Sequence, residues 1–356
     1  MKKLVSILTL AIIFSGMAIA QNISKSEVKS LQSFLNQPAA KGGNNAEALK
    51  MTGSNPASCP GIKVENGHVV EIDWESHELA GTLNLANFPA LKVLKLNNNK
   101  LTAITLANNP QLQIVNAGNN RLSSIVIENC SGLQELRLNR NALSEISLGS
   151  TPLLRILNLA SNMLESIDVS NLVNLKSLNL MNNRLMALEV SMCQNLKNLY
   201  AGYNDLTSIT LDGLAGLENL NLQSNKISKM YLQNLPSLLT VFISDNHMVQ
   251  FAVNNCKALN DVYAPYNDLT SFAVDNCPTL AFVNLAWNDL TYLNLSNLNF
   301  LQRVNVSNNQ LITLDVSFDT MLSYINIAGN TNLTDFRTEG DIALRQINGV
   351  WGDMME

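Results

Sequence analysis

The side chains of this chain that could do chemistry are three histidines, five cysteines and one run of alternating carboxylates. His68, His77 and His247 are scattered, and no C-x-x-C, H-E-x-x-H, phosphate-binding glycine loop or nucleophile elbow accompanies them. Glu71, Asp73 and Glu75 alternate along one strand-like stretch and could together attract a cation, although a solvated acidic rim is the simpler reading. Cys130, Cys193, Cys256 and Cys277 stand at one phase of a 21-residue period, in a row that also holds Phe88, Leu172, Leu214, Leu235 and Leu298. In such an inward row cysteine serves as a small hydrophobe. Cys256 and Cys277 are one period apart, and a strand spacing of about 4.8 Å would not exclude a bridge between them. Cys130 and Cys193 cannot reach each other, and Cys59 has no evident partner. These residues predict no enzyme, no cofactor and no metal.

The elements that position them come from a repeat. From Leu91 to Gly329 the pattern L-x-x-L-x-L-x-x-N-x-L-x-x-I-x-L recurs twelve times without a spacer. Its ninth place is always asparagine: Asn99, Asn120, Asn141, Asn162, Asn183, Asn204, Asn225, Asn246, Asn267, Asn288, Asn309 and Asn330. A fixed period of this length indicates stacked copies of a unit that cannot bury its own apolar face. The fourth and sixth places, as in Leu94 and Leu96, point inward from a short strand, and the third, fifth and seventh face out. The fourteenth and sixteenth, as in Ile104 and Leu106, predict a second parallel strand on the opposite wall. Prolines at the twentieth place (Pro89, Pro110, Pro152, Pro236, Pro278) leave no room for a helix between units. The asparagines of the ninth place are expected to satisfy buried backbone at the bend, each bridging to its neighbour. A looser asparagine row at the eighteenth place (Asn87, Asn108, Asn129, Asn171, Asn234, Asn255, Asn276, Asn297) is expected to do the same at the other bend.

Residues 1–20 have the form of a secretory signal: Lys2 and Lys3, an apolar run from Leu4 to Phe14, then Ala18-Ile19-Ala20. Their removal takes the formal net charge from −5 to −7. Charged residues are only 14% of the chain, against roughly 25% in ordinary domains, and no basic patch marks nucleic acid or a membrane surface. Residues 21–69 read as a helical cap and loop, opened by Ser24-x-x-Glu27 as a capping box, with Val28, Leu31, Phe34 and Leu35 at helical spacing. Residues 70–337 comprise an atypical first unit and the twelve regular ones. Aligning that first unit needs one inserted residue near Gly81 and puts His77 at the asparagine phase, as a variant of the cap rather than a ligand. After Gly329 the register slips by one, placing Leu333 and Phe336 at the apolar pair. Residues 338–356, with Ile342, Ile347, Val350 and Trp351, read as the far cap.

This pattern resembles the leucine-rich repeats, in the short 21-residue form of exported Bacteroidetes proteins and less closely of the internalins. The stretch Cys59-Pro-Gly-Ile-Lys-Val-Glu-Asn-Gly-His-Val-Val-Glu-Ile-Asp-Trp74, followed by Leu79-Ala-Gly-Thr-Leu, is similar to the N-terminal cap of plant-type extracellular repeats, but lacks the second cysteine of the usual pair. The resemblance implies a repeat solenoid, α/β by convention. It would be a right-handed horseshoe with a parallel sheet on its concave face, turns and short extended segments on the convex side, and a small helical N-terminal cap. It also implies partner recognition on the concave face, without naming a ligand.

What varies between units carries the functional information. Early units present Lys95, Arg137, Arg121 and Arg184 on the outward places; later ones present Tyr200, Tyr203, Phe242, Tyr263, Tyr266, Phe282 and Trp287, with Asp245, Asp268 and Asp289. Rigid rings flanked by carboxylates suit a recognition surface; alternatively, the rings are cross-strand ladders that stabilise a long sheet. The expected function is that of a secreted or cell-surface binding protein, monomeric, with no nucleic-acid partner and no membrane insertion after signal cleavage. A protein partner is expected on the aromatic and acidic face. A glycan, or a structural spacer role without a ligand, is the alternative.

Overall fold

The computed structural model describes residues 23–349; the signal-like segment, Val350 and Trp351 lie outside the described residues. The chain winds as a parallel β-solenoid of about 13 turns that forms a horseshoe with little helix. One sheet of 15 strands lines its concave side. Strand follows strand in strict register: Ser177, Asn198, Asn219, Thr240, Asp261, Phe282, Arg303 and Tyr324 form one line of partners across the sheet. Each strand is short because only its middle residue, the fourth of the unit, must reach the core. In Asn219–Asn221, for instance, Leu220 is buried between two half-buried asparagines. Burial of each such leucine contributes about 1.5–3 kcal/mol, and stacking makes these contributions contiguous.

The ninth-place asparagines do what the bend demands. Asn225 donates from Nδ2 to the carbonyls of Leu222 (2.9 Å) and Ala201 (3.1 Å), and its Oδ1 accepts the Leu206 N–H at 3.0 Å. One carboxamide thus ties its own turn to the preceding one, and the same set recurs at Asn204, Asn246 and Asn288. Asn225→Ala would leave the buried Leu206 N–H unpaired, while the Leu222 and Ala201 carbonyls would each keep the donor of a neighbouring asparagine, Asn246 and Asn204. It is expected to lower stability by about 1–3 kcal/mol, the cost of one orphaned buried donor. Urea unfolding followed by far-UV circular dichroism measures this; a loss below half a kcal/mol would deny the asparagine its bridging task.

The eighteenth-place row behaves differently from expectation. Most of these asparagines are exposed, and where the row is continuous they bond to each other from turn to turn, Asn108 Nδ2 to Asn87 Oδ1 (3.0 Å) and Asn129 Nδ2 to Asn108 Oδ1 (2.7 Å). All but Asn171 have a left-handed backbone, with φ near 60° at Asn87, Asn108 and Asn297. Asparagine tolerates that conformation better than most side chains. The opposite wall is also less regular than predicted. Its strands form three separate three-stranded sheets, and none lies between residues 129 and 228 among the described residues. The local bonds found there, Asp168 accepting the Ser170 N–H and Glu189 the Ser191 N–H, recur as Asn294 with Ser296 and Asp315 with Ser317 in units that do carry the strand, so they do not account for the gap.

The first turn is closed by helix α1 (Lys25–Leu35), helix α2 (Asn45–Ala48) and an antiparallel hairpin of β1 (Ile62–Glu65) and β2 (His68–Asp73). Ser24 caps α1 by accepting the Glu27 N–H, but Glu27 does not complete a capping box. Its carboxylate is fully buried against His68 Nδ1 (2.9 Å) and the Val69 N–H (3.1 Å), locking the helix to the hairpin. Phe34 stacks on the buried Trp74 with ring centroids 5.6 Å apart. The free edge of β3 (Ala80–Asn84) is covered by side chains: Gln37 exchanges two hydrogen bonds with Thr82, and Asn45 two with Ala80. The first unit is one residue longer than the next, since Ile72 pairs with Leu94 and Leu83 with Ile104, and the register shift between Gly81 and Thr82 leaves Thr102 of the partner strand as an unpaired residue. Gly81 has φ 88°, and a Cβ there would strike Gln37.

At the far end the slip is confirmed, since Leu314 pairs with Phe336. Strand Gln346–Asn348 extends the concave sheet, with Ile347 opposite Ile325. Ile342, expected in the far cap, is 85% exposed.

Candidate binding face

The side chains with chemical potential are accounted for structurally. Lys95 binds Asp73 at 3.0 Å and lies 3.8 Å from Glu71, which also holds Lys63; the ion pair with Asp73 raises the Lys95 ammonium above its ordinary range. Two of the three carboxylates, Glu71 and Asp73, are therefore paired within the chain, and Glu75 accepts the Asn98 amide. Among the described residues no group of three or more His, Cys, Asp or Glu could hold a metal ion. His77 Nδ1 meets the Glu75 carbonyl, and the His77 N–H donates to Asn99. All five cysteines are buried and unbridged. They are more than small hydrophobes, because Cys130 and Cys193 direct their thiols at the carbonyls of Leu106 and Val169, 24 residues back in each case. Burial pushes the Cys59 and Cys193 thiols up to about 11, far from a reactive thiolate.

The predicted aromatic face divides into two groups with different physics. Phe242, Tyr263 and Phe282 stand on the strands. Phe242 and Tyr263 are register partners with centroids 4.6 Å apart, and Tyr263 lies 4.8 Å from Phe282. Burial, with Asp261 beside it, raises the Tyr263 phenol above its ordinary range. These rings fit the cross-strand ladder account. Tyr266 and Trp287 stand on the rim at the eighth place, stacked with centroids 5.8 Å apart and an interplanar angle of 15°. They are 58% and 52% exposed, and they border a groove of about 500 Å³ with Asp289 and Gln310. Tyr200 and Tyr203 are not gathered into either group: Tyr200 is separated from Phe242 by the strand of Asn221, and Tyr203 lies three units before Tyr266.

The carboxylates line the same rim. Asp268 is 3.6 Å from His247 Nδ1, Asp289 accepts Gln310 Nε2 at 2.8 Å, and Asp245 is exposed at the eighth place.

Solved structures share this architecture. The leucine-rich repeat domain of APL1B superposes with a TM-score of 0.58 at 22% identity, covering 68% of this chain and 76% of that one. A chain of the LRIM1/APL1C complex gives 0.53 at 23% identity; this chain spans about half of its length, 53%, using 68% of its own. YopM, a leucine-rich effector protein of Yersinia pestis, gives 0.51 at 21% identity over 72% of this chain and 88% of that one. The chain has the leucine-rich repeat fold. No protein-family model matches the sequence, and no curated protein does.

Within this leucine-rich repeat solenoid two features of the face escape a reading of residue types. The first is the backbone of the eighth place. It is left-handed in every regular unit, with φ between 54° and 60° for the non-glycine residues from Asn98 to Asn308 and 79° at Gly329. Asparagine, serine, aspartate or glycine fills most of these sites, yet Tyr203 (57°), Tyr266 (56°) and Trp287 (56°) occupy three. A bulky side chain at such an angle costs about 1 kcal/mol more than asparagine. The second is basic. Arg303 and Arg345, exposed and beyond the aromatic units, share a groove of about 580 Å³ with Phe282 and Tyr324. The leucine-rich repeat face therefore does not simply turn from basic to acidic along its length, because arginines return at its far end. Both signals are present in the sequence, in the eighth place as a continuous column and in Arg303 at the third place with Arg345 just before it on the last strand.

Proposed function

We propose that this leucine-rich repeat protein is exported and binds a protein partner non-covalently on its concave face, with the Tyr266–Trp287 stack as the principal contact. The observation that carries the reading is the placement of two exposed aromatic residues on left-handed backbone beside each other. A sheet needing only mechanical support would keep asparagine there, as Asn98, Asn119 and Asn308 do. Strain retained at exposed rings is the signature of a site maintained for something outside the chain. Asp245, Asp268 and Asp289 along the same rim give the contact direction, and Phe242, Tyr263 and Phe282 extend its apolar area across the sheet. One chain of this fold was solved within the LRIM1/APL1C complex, which lends the fold a precedent for assembly. In this reading residues 1–20 direct export, 21–69 cap the first turn, 70–337 carry the repeats and 338–356 close the far end.

A flat ring stack also seats a sugar face, so the test has two arms. Immobilised protein and its Tyr266→Asn/Trp287→Asn variant are exposed to a soluble protein mixture and to a glycan array. The expected result is a protein retained by the parent and lost by the variant, with no glycan bound. A glycan signal that the variant loses moves the site to carbohydrate; identical captures by both proteins sink the assignment.

A further inference from the structure

The third place of four consecutive concave strands reads Asp261, Phe282, Arg303, Tyr324: acid, ring, base, ring, each the register partner of the next. With parallel strands about 4.8 Å apart, Asp261 and Arg303 stand about 10 Å from each other across Phe282. That is beyond ion-pair range, and neither makes an ion pair among the described residues. Arg345, near the end of the described chain, makes no ion pair among the described residues either and lines the same groove, whose floor is the buried Val304. The cluster thus offers a carboxylate, a half-buried ring and a guanidinium fork in a fixed line, with a second fork beside it, none of the charges paired among the described residues.

We propose that this line is a specificity site for an extended protein segment that carries an acidic side chain over Arg303 and Arg345, an apolar one over Phe282 and a basic one over Asp261. The proposal rests on the function proposed above and adds the partner's charge pattern. The spacing follows from geometry: a segment extended in the polyproline II conformation has three residues per turn and advances about 3.1 Å per residue, so residues three apart project from the same side about 9 Å from each other. The favoured motif therefore has Asp or Glu three positions from Lys or Arg with an apolar residue between them. Two arginines suit a carboxylate because each guanidinium can donate two parallel hydrogen bonds to it. A polyanion such as a sulfated glycan is a poor fit. Beyond the two arginines it would meet Asp261 on the sheet and Asp268 and Asp289 on the rim, with no further cation among the lining residues.

The test pans random twelve-residue peptides on the immobilised full chain. Acid and base three apart are expected to be enriched. Arg303→Gln with Arg345→Gln should abolish the acidic preference and weaken a selected synthetic peptide about tenfold or more; Asp261→Asn should abolish only the basic preference. Because the arginines are exposed, both variants should retain the parental unfolding curve. Peptides selected without acidic residues, or an acidic preference that survives loss of both arginines, overturn the proposal while leaving a protein-binding face in place. Failure of the parent to select any peptide overturns both readings. Capture of a heparin fragment that depends on the two arginines would replace the peptide by a polyanion and overturn the proposal. A Tyr266→Asn/Trp287→Asn variant that still selects the same acid-base pairs supports the groove as a site distinct from the rim.

Discussion

Asp319→Asn is expected to stabilise the far end of the solenoid, by on the order of 4 kcal/mol at pH 7. Asp319 is fully buried at the nineteenth place, in the row that holds the cysteines. Its Oδ1 accepts the Leu298 N–H at 2.7 Å, and its Oδ2 is buried with no hydrogen-bond partner. Other members of the row define what that second atom faces. Asn109 accepts the Phe88 N–H through Oδ1 and donates through Nδ2 to the carbonyl of Leu85, 24 residues back. Cys130 and Cys193 donate their thiols to the carbonyl at the same offset. The register puts the Leu295 carbonyl in that position for Asp319, so the site asks for a donor and an ionised carboxylate supplies none. Burial, with Asp341 and Asp315 adding to it, accordingly pushes the Asp319 carboxyl up to about 8.

The pH dependence follows. Folding takes up a proton wherever the folded carboxyl is protonated and the unfolded one is not, from about the ordinary value of 3.8 to about 8. Across that window the Asp319 contribution to stability falls as pH rises, by about 1.4 kcal/mol per pH unit at most. Asp341, whose carboxyl burial raises to about 6, adds to the fall in the lower part of the window. Asparagine keeps the acceptor, supplies the donor and titrates nowhere. The parent should lose stability from pH 5 to pH 8, and the variant should be both more stable at pH 7 and flatter. Urea unfolding at several pH values, with hydrogen exchange at Leu298 and Leu322 to localise the effect, makes the measurement. A parent equally stable at pH 5 and pH 8, or a destabilised variant, would mean that the Asp319 carboxylate has found another partner.

Much of the fold was legible because two physical demands repeat every 21 residues: an apolar pair for the core and a carboxamide for the bend. Leu94, Leu96 and Asn99 state both, and the next eleven units restate them. What stayed hidden is what periodicity averages away. Asp319, Asn109 and Thr151 sit in the row of Phe88 and Cys130, and a reading that collects the apolar members of that row passes over its polar ones. The hairpin of residues 62–73 carried a clear local sign, Asn66-Gly67 between Val64 and Val69, with positive φ at both turn residues as a two-residue hairpin requires. The gaps in the opposite wall had no comparable sign, since Ile146 and Leu148 resemble Ile125 and Ile127, which do lie in a strand. The binding face was legible as a list of rings, but residue types alone could not separate Phe242 and Tyr263, at home on strands, from Tyr266 and Trp287, on strained backbone.

That separation decides between a recognition surface and a stabilising ladder, because the two accounts give Tyr266→Asn/Trp287→Asn opposite signs in a stability measurement. Asparagine relieves about 1 kcal/mol of left-handed strain at each site. Loss of the ring stack costs about 0.5–1.5 kcal/mol, toward the lower end where both rings face water. The balance is a variant as stable as the parent or about 1 kcal/mol more stable. A ladder that supports the sheet predicts a loss of similar size. Binding should move much further: tyrosine and tryptophan at the centre of an interface each contribute about 2 kcal/mol or more, so removing both is expected to weaken the partner at least about a hundredfold. Phe242→Asn is the internal contrast, because its ring packs on Tyr263 at 4.6 Å from unstrained strand backbone. It should lower stability and affect binding less. Thermal unfolding and titration calorimetry on the same three proteins read both quantities. A rim variant that melts earlier than the parent and still binds with parental affinity would return Tyr266 and Trp287 to the scaffold.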